Sequence, residues 1–88
     1  MSRDTRLKRL RFRAWHRGTR EADTLVGGFF DAFAEHWDDA ELDWFDSFLE
    51  EQDVDVVAWA MGLESPPPHL AGPMMAAFCK LDYISLPR

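Results

Sequence analysis

Apolar positions recur with helical spacing along most of this chain. The clearest run is Ala22, Leu25, Val26, Phe29, Phe30 and Phe33, at i, i+3, i+4, i+7, i+8 and i+11. That is one stripe of a 3.6-residue helix, and it predicts a central core helix over about residues 19–37. Before it, Leu7, Leu10 and Ala14 mark a first helix over about residues 5–16, with Phe12 and Trp15 on a neighbouring apolar stripe and arginines between them expected to stay solvated. After it, Asp38-Asp39-Ala40-Glu41 has the pattern of a capping box. The third helix it opens has Leu42, Phe45 and Leu49 inside, Trp44 and Phe48 alongside, and Asp43, Asp46, Glu50 and Glu51 as an acidic outer face. A fourth helix is expected from Asp53 as N-cap to Gly62 as the residue that ends it. The prolines of Glu64-Ser65-Pro66-Pro67-Pro68-His69 form a stiff connector. Gly72-Pro73 opens a fifth helix with Met74, Ala77, Phe78 and Leu81 buried, and the tail from Tyr83 to Arg88 reads as extended. No segment alternates as a strand does, so the class is all-α, a small five-helix bundle in one domain.

Two glycines interrupt the best helix. Gly27 and Gly28 each cost about 1 kcal/mol relative to alanine in a helix interior. A close helix crossing, or a backbone surface that something approaches, would account for them. They are not a nucleotide loop, because the GxGxxG spacing is missing and no strand precedes them.

Composition supports a packed core. With 47% hydrophobic residues and twelve aromatic rings in 88 residues, the chain can fill a small interior. The single cysteine, Cys79, rules out an intrachain disulfide and a Cys-based metal site, and points to a reducing, cytoplasmic compartment. No apolar run approaches 18 residues, so neither a transmembrane helix nor membrane insertion is expected.

Charge is split along the chain. Residues 1–20 carry eight Lys/Arg and one acid, net +7; residues 21–88 carry two basic groups and fifteen acids, net −13. A basic first helix lying against an acidic body is the plain reading. A nucleic-acid arm is the alternative, disfavoured because the acidic body would repel phosphate.

Catalytic patterns are weak. His16, His36 and His69 fall on separate elements without HxxxH or HExxH spacing, and neither Ser47 nor Ser65 sits in a nucleophile elbow. No metal site is expected, and an enzyme is not the favoured class.

What helical physics leaves over is the turn Arg17-Gly18-Thr19-Arg20-Glu21, where charged groups crowd a corner that reads as exposed. Glycine there suits a left-handed stop, and Glu21 and Asp23 suit the first turn of the next helix. Truncating Arg17 or Glu21 is expected to change stability by no more than about 0.5 kcal/mol.

This turn resembles the RGxxE motif of the succinate dehydrogenase assembly factor 2 family, called SdhE in bacteria, with Arg17, Gly18 and Glu21 in place and Asp23 as the acid that follows. A second block, Asp53-Val54-Asp55-Val56-Val57-Ala58-Trp59, is similar to the family's DPDLxxW helix, with Val54 where the family has proline. The resemblance runs from about residue 6 to residue 83.

The resemblance implies an assembly factor that binds the flavoprotein subunit of succinate dehydrogenase, and of fumarate reductase, and promotes covalent FAD attachment to it. It implies partner contact through Arg17, Gly18, Glu21 and Asp23, no catalytic residue, and no cofactor held tightly by this chain; a monomer is expected. The alternative is a basic-helix nucleic-acid-binding or antitoxin-like regulatory protein.

Overall fold

The computed structural model describes residues 2–84. Within them the chain forms five α-helices: α1 (Arg3–Trp15), α2 (Arg20–Phe33), α3 (Asp39–Leu49), α4 (Asp53–Ala60) and α5 (Pro73–Cys79). No strand occurs among the described residues, and the class is all-α.

Local chemistry sets the helix ends. The Ser2 side chain accepts from the Thr5 backbone N–H, so α1 begins at Arg3, two residues before its apolar stripe suggested. Thr19 caps α2 by accepting from the Ala22 N–H. The capping box at α3 forms as the sequence predicts: Asp38 Oδ1 accepts from the Glu41 N–H at 2.8 Å, and Glu41 Oε1 accepts from the Asp38 N–H at 2.9 Å. Gly62, at φ +74°, follows the end of α4, and Pro73 starts α5 at a position where a missing N–H costs nothing.

Two ends differ from the sequence reading. The second helix stops at Phe33 and tightens into a 3-10 turn, Ala34–His36, rather than running to Trp37. Leaving the helix axis lets Trp37 drop into the core, with ring centroids 5.3 Å from Phe29 and 5.0 Å from Phe45. Asp53 is not the cap of α4. Gln52 takes the cap position without a side-chain bond, and the Asp53 carboxylate is engaged elsewhere.

The core is built on α2. Phe29 is fully buried and meets the rings of Phe33, Trp37, Phe45, Phe78 and Tyr83. Phe48 and Phe78, also fully buried, pack edge to face at 4.8 Å, which ties α3 to α5. The proline connector turns back on itself, with the Leu70 N–H donating to Pro67 O, and plugs the fully buried Leu70 into the core. Trp44 Nε1 donates to Leu70 O at 3.0 Å and pins that plug.

Gly27 marks a close crossing. A Cβ there would lie 2.3 Å from Trp15 Cδ2, so α1 and α2 approach as they do only because the side chain is missing. Gly28 faces the ring of Tyr83, and a Cβ there would lie 3.6 Å from it, an ordinary contact. Tyr83 itself corrects the expectation of an extended tail. It lies in a turn after Leu81, which takes φ 59°, and packs on Phe29 with its hydroxyl donating to Phe78 O at 2.7 Å. The rest of that expected tail, residues 85–88, lies outside the described residues.

Candidate functional site

The first helix lies against the acidic body through specific pairs. Arg6 donates to Asp43 at 2.6 Å and Asp46 at 3.0 Å; Arg13 donates to Asp46 and Glu50, both at 3.0 Å; Arg11 donates to Asp31 at 3.1 Å. Hydrogen bonds to Asp43 and then Asp46 hold the Arg6 guanidinium above its usual pKa. Arg3 turns its guanidinium onto the Trp37 carbonyl at 2.8 Å. Two expectations change accordingly. These arginines are not simply solvated, and the acidic side of α3 faces α1 instead of forming a bare outer surface. Exposed pairs of this kind add little stability each, but several together fix how one helix lies on the next.

Arg17 departs furthest from its sequence reading. Its side chain is only 8% exposed. Nε donates to Asp53 Oδ1 at 2.7 Å, one terminal nitrogen donates to Leu49 O at 3.0 Å, and the other donates to Glu51 O. The guanidinium thus satisfies carbonyls at the C-terminal end of α3, where a cation is favoured, and ties them to the first residue of α4. The reason is geometric: α1 ends at Trp15, and the next two residues carry the chain over the α3–α4 corner, which directs Arg17 inward. On the other side of the turn, Asp23 Oδ1 accepts from the Arg17 backbone N–H at 2.7 Å. Arg17 and Asp23 therefore brace the turn.

Gly18 and Glu21 lie outside that brace. Gly18 is exposed at φ +115°, a conformation strained for any residue with a Cβ, and nothing lies within 4 Å of where a Cβ would be. Glu21 and Arg20 are exposed on the first turn of α2, with no side-chain hydrogen bond or ion pair among the described residues. The four motif residues are neighbours in space, and they divide into two that hold the turn and two that face outward.

Sequence reasoning missed a further exposed feature. Phe12, read as part of an apolar stripe, points to solvent at 64% exposure and stacks on His16 with centroids 4.1 Å apart. The stripe that does bury is Leu10 and Ala14. Its neighbour Trp15 lies on Gly27 and donates Nε1 to Asp31 at 3.1 Å. The missing signal was position: Phe12 is two residues from both Leu10 and Ala14, about 200° around the helix, away from the buried line.

Among the described residues no group of three or more His, Cys, Asp or Glu is placed to hold a metal ion, and no helix is long and apolar enough to cross a membrane. The single thiol, Cys79, donates to Trp59 O at 3.4 Å, and burial pushes its pKa up, away from a reactive thiolate.

Comparison with known proteins supports the family resemblance. Residues 8–82 match the family model described as flavinator of succinate dehydrogenase. The chain is 41% identical over 70 residues to the FAD assembly factor SdhE of Acetobacter pasteurianus, covering 80% of this chain and 64% of that one. It is 40% identical over 58 residues to the mitochondrial succinate dehydrogenase assembly factor 2 of Mycosarcoma maydis, covering 66% of this chain and 24% of that one. The chain thus spans less than two thirds of the length of either relative. The family match includes the braced turn, its partner Asp53 and the helix that Asp53 begins, and on that extent the chain belongs to the succinate dehydrogenase flavinator family.

Proposed function

We propose that this chain binds the flavoprotein subunit of succinate dehydrogenase, and that of fumarate reductase, and promotes covalent attachment of FAD to it. The observation that supports this best is the division of labour in the turn. Arg17 and Asp23 hold the backbone from inside, and Gly18 and Glu21 are left facing solvent with no structural bond of their own. A side-chain-free residue lets a partner's backbone come close, and an exposed carboxylate nearby can accept from a donor of that partner. In this reading Gly18 and Glu21 touch the partner, and Arg17 and Asp23 act by shaping the turn.

The contribution to the reaction is positional. FAD is the partner's group, and the attachment chemistry belongs to the flavin and the partner's own residues. This chain contributes by holding the flavoprotein in a geometry in which those groups meet, and such positioning is a recognised source of large rate effects. It acts as a monomer in the cytoplasm. A phosphate-binding role for the basic amino-terminal stretch draws less support, because Arg6, Arg11, Arg13 and Arg17 are paired with carboxylates of the same chain.

The test is covalent flavin in the flavoprotein subunit, read by in-gel fluorescence in cells lacking this chain. Complementation by the natural chain restores the fluorescent band, and Glu21→Ala leaves it weak. A full band without the chain overturns the function. A full band with Glu21→Ala overturns the site.

A further inference from the structure

We infer that the outward face of α1, centred on the Phe12–His16 stack, is a second docking surface, and that it takes an acidic segment of a partner protein carrying an apolar side chain among its carboxylates. Phe12 is the starting point. A phenylalanine at 64% exposure leaves most of its ring in water, yet it is held in place, stacked at 4.1 Å on His16, whose Nδ1 lies 2.7 Å from Phe12 O. That stack forms the ridge between two open hollows. One, about 400 Å³, is lined by Lys8, Arg11, Phe12 and Trp15; the other, about 290 Å³, has Arg13 and Leu49 on its far side, together with Arg17 paired to the Asp53 carboxylate. A third hollow of about 540 Å³ shares Trp15 and His16 with the first and runs on to Gly18, Arg20 and Asp23, whose carboxylate accepts from the Arg17 N–H. The surface is therefore continuous with the turn of the proposed function.

Charge selects the occupant. Of the cations near the ridge, Arg11 and Arg13 already face carboxylates of this chain, while Lys8, Arg9 and Arg20 are exposed and make no ion pair among the described residues. Lys8 and Arg9 flank the Phe12 ring and Arg20 lies further along, in the hollow of Trp15 and His16, an arrangement that suits a short acidic segment with an apolar anchor. The ring supplies desolvated contact, and the cations supply steering and register. They are few for nucleic acid, where affinity comes from many phosphate contacts, on a chain whose remainder carries net −13. A second copy of this chain would place acid near the patch too, but the acids Asp31, Asp43, Asp46 and Glu50 are occupied by α1 of their own copy.

The inference rests on the proposed function for the identity of the partner, not for the existence of the surface. Photo-crosslinking separates them, with the full chain carrying a photoreactive phenylalanine at position 12 or in place of the exposed Thr24, beside the turn, in living cells. A crosslink from position 12 to an acidic segment of the flavoprotein subunit, lost in Lys8→Glu/Arg9→Glu, supports both. A crosslink to an acidic segment of another protein, lost in the same way, supports the surface and overturns the partner. A crosslink from position 24 alone supports the turn and overturns the surface, as does a crosslink from position 12 to nucleic acid, to a second copy or to an uncharged segment. With purified components, Phe12→Ala is expected to weaken binding of the subunit by about tenfold or more while leaving the melting temperature unchanged. Unchanged affinity overturns the subunit as the occupant of this surface.

Discussion

Arg17 and Asp53, thirty-six residues apart, are bonded partners: Nε donates to Oδ1 at 2.7 Å with the arginine side chain almost wholly buried. The two sequence blocks that carry the family resemblance are thus halves of one structural unit. The turn after α1 is locked to the start of α4, and the same guanidinium satisfies the Leu49 and Glu51 carbonyls where α3 ends.

Arg17→Ala is therefore expected to destabilise the fold. It leaves the part-buried Asp53 without its cation and two carbonyls without donors, a loss of about 2 kcal/mol or more once the solvent access of Asp53 is allowed for. For a domain this small that is a large part of total stability. Urea denaturation checks it, with Arg17→Lys as companion, since lysine cannot reproduce three divergent bonds. A loss below about 0.5 kcal/mol in Arg17→Ala would restore the exposed-corner reading of this residue.

The adjacent glycines of α2 should respond with opposite signs. Gly27→Ala drives a methyl into the Trp15 indole at 2.3 Å, and overpacking of this kind costs about 1–3 kcal/mol, more than the helix propensity returned. Gly28→Ala meets Tyr83 at an ordinary 3.6 Å and should gain up to about 1 kcal/mol. Thermal melts of the two variants decide it, and equal shifts would contradict the close α1–α2 crossing.

Tyr83 gives a pH signature. Burial, followed by the neighbouring Cys79 and Asp82, raises its phenol above the usual value, and burial raises the Cys79 thiol as well. Both groups are neutral when protonated and favoured so in the fold. Their contribution is fully present below the unfolded pKa values and declines as pH rises from about 9 upward. Tyr83→Phe should cost about 1 kcal/mol at neutral pH through the lost bond to Phe78 O, and should flatten the alkaline decline. An alkaline decline as steep in the variant as in the natural chain would place its origin elsewhere.

The sequence carried the fold because periodicity and caps agreed locally. The stripe from Ala22 to Phe33, the Asp38–Glu41 box and Pro73 at a helix start all needed only neighbours to be read. What it hid depended on distant partners. Nothing within a few residues of Arg17 signals Asp53, and nothing near Gly27 signals Trp15. The side of α1 that Phe12 occupies was decided by where Leu10 and Ala14 bury. The charge split predicted a basic helix against an acidic body, but not that its acids would be those of α3 and Asp31. The motif was legible as a motif, while its division into bracing and outward-facing residues was not.

The central claim is that the turn holds itself together with Arg17 and Asp23 and recognises a partner with Gly18 and Glu21. Its most direct test is the affinity of the purified chain for the purified flavoprotein subunit, measured by calorimetry for the natural chain and for Glu21→Ala, with melts of both. Glu21 is exposed, so its truncation should leave stability within about 0.5 kcal/mol. Binding should weaken by about 2 kcal/mol or more, as at an interface hot spot. Undiminished affinity in a folded Glu21→Ala chain would contradict the claim.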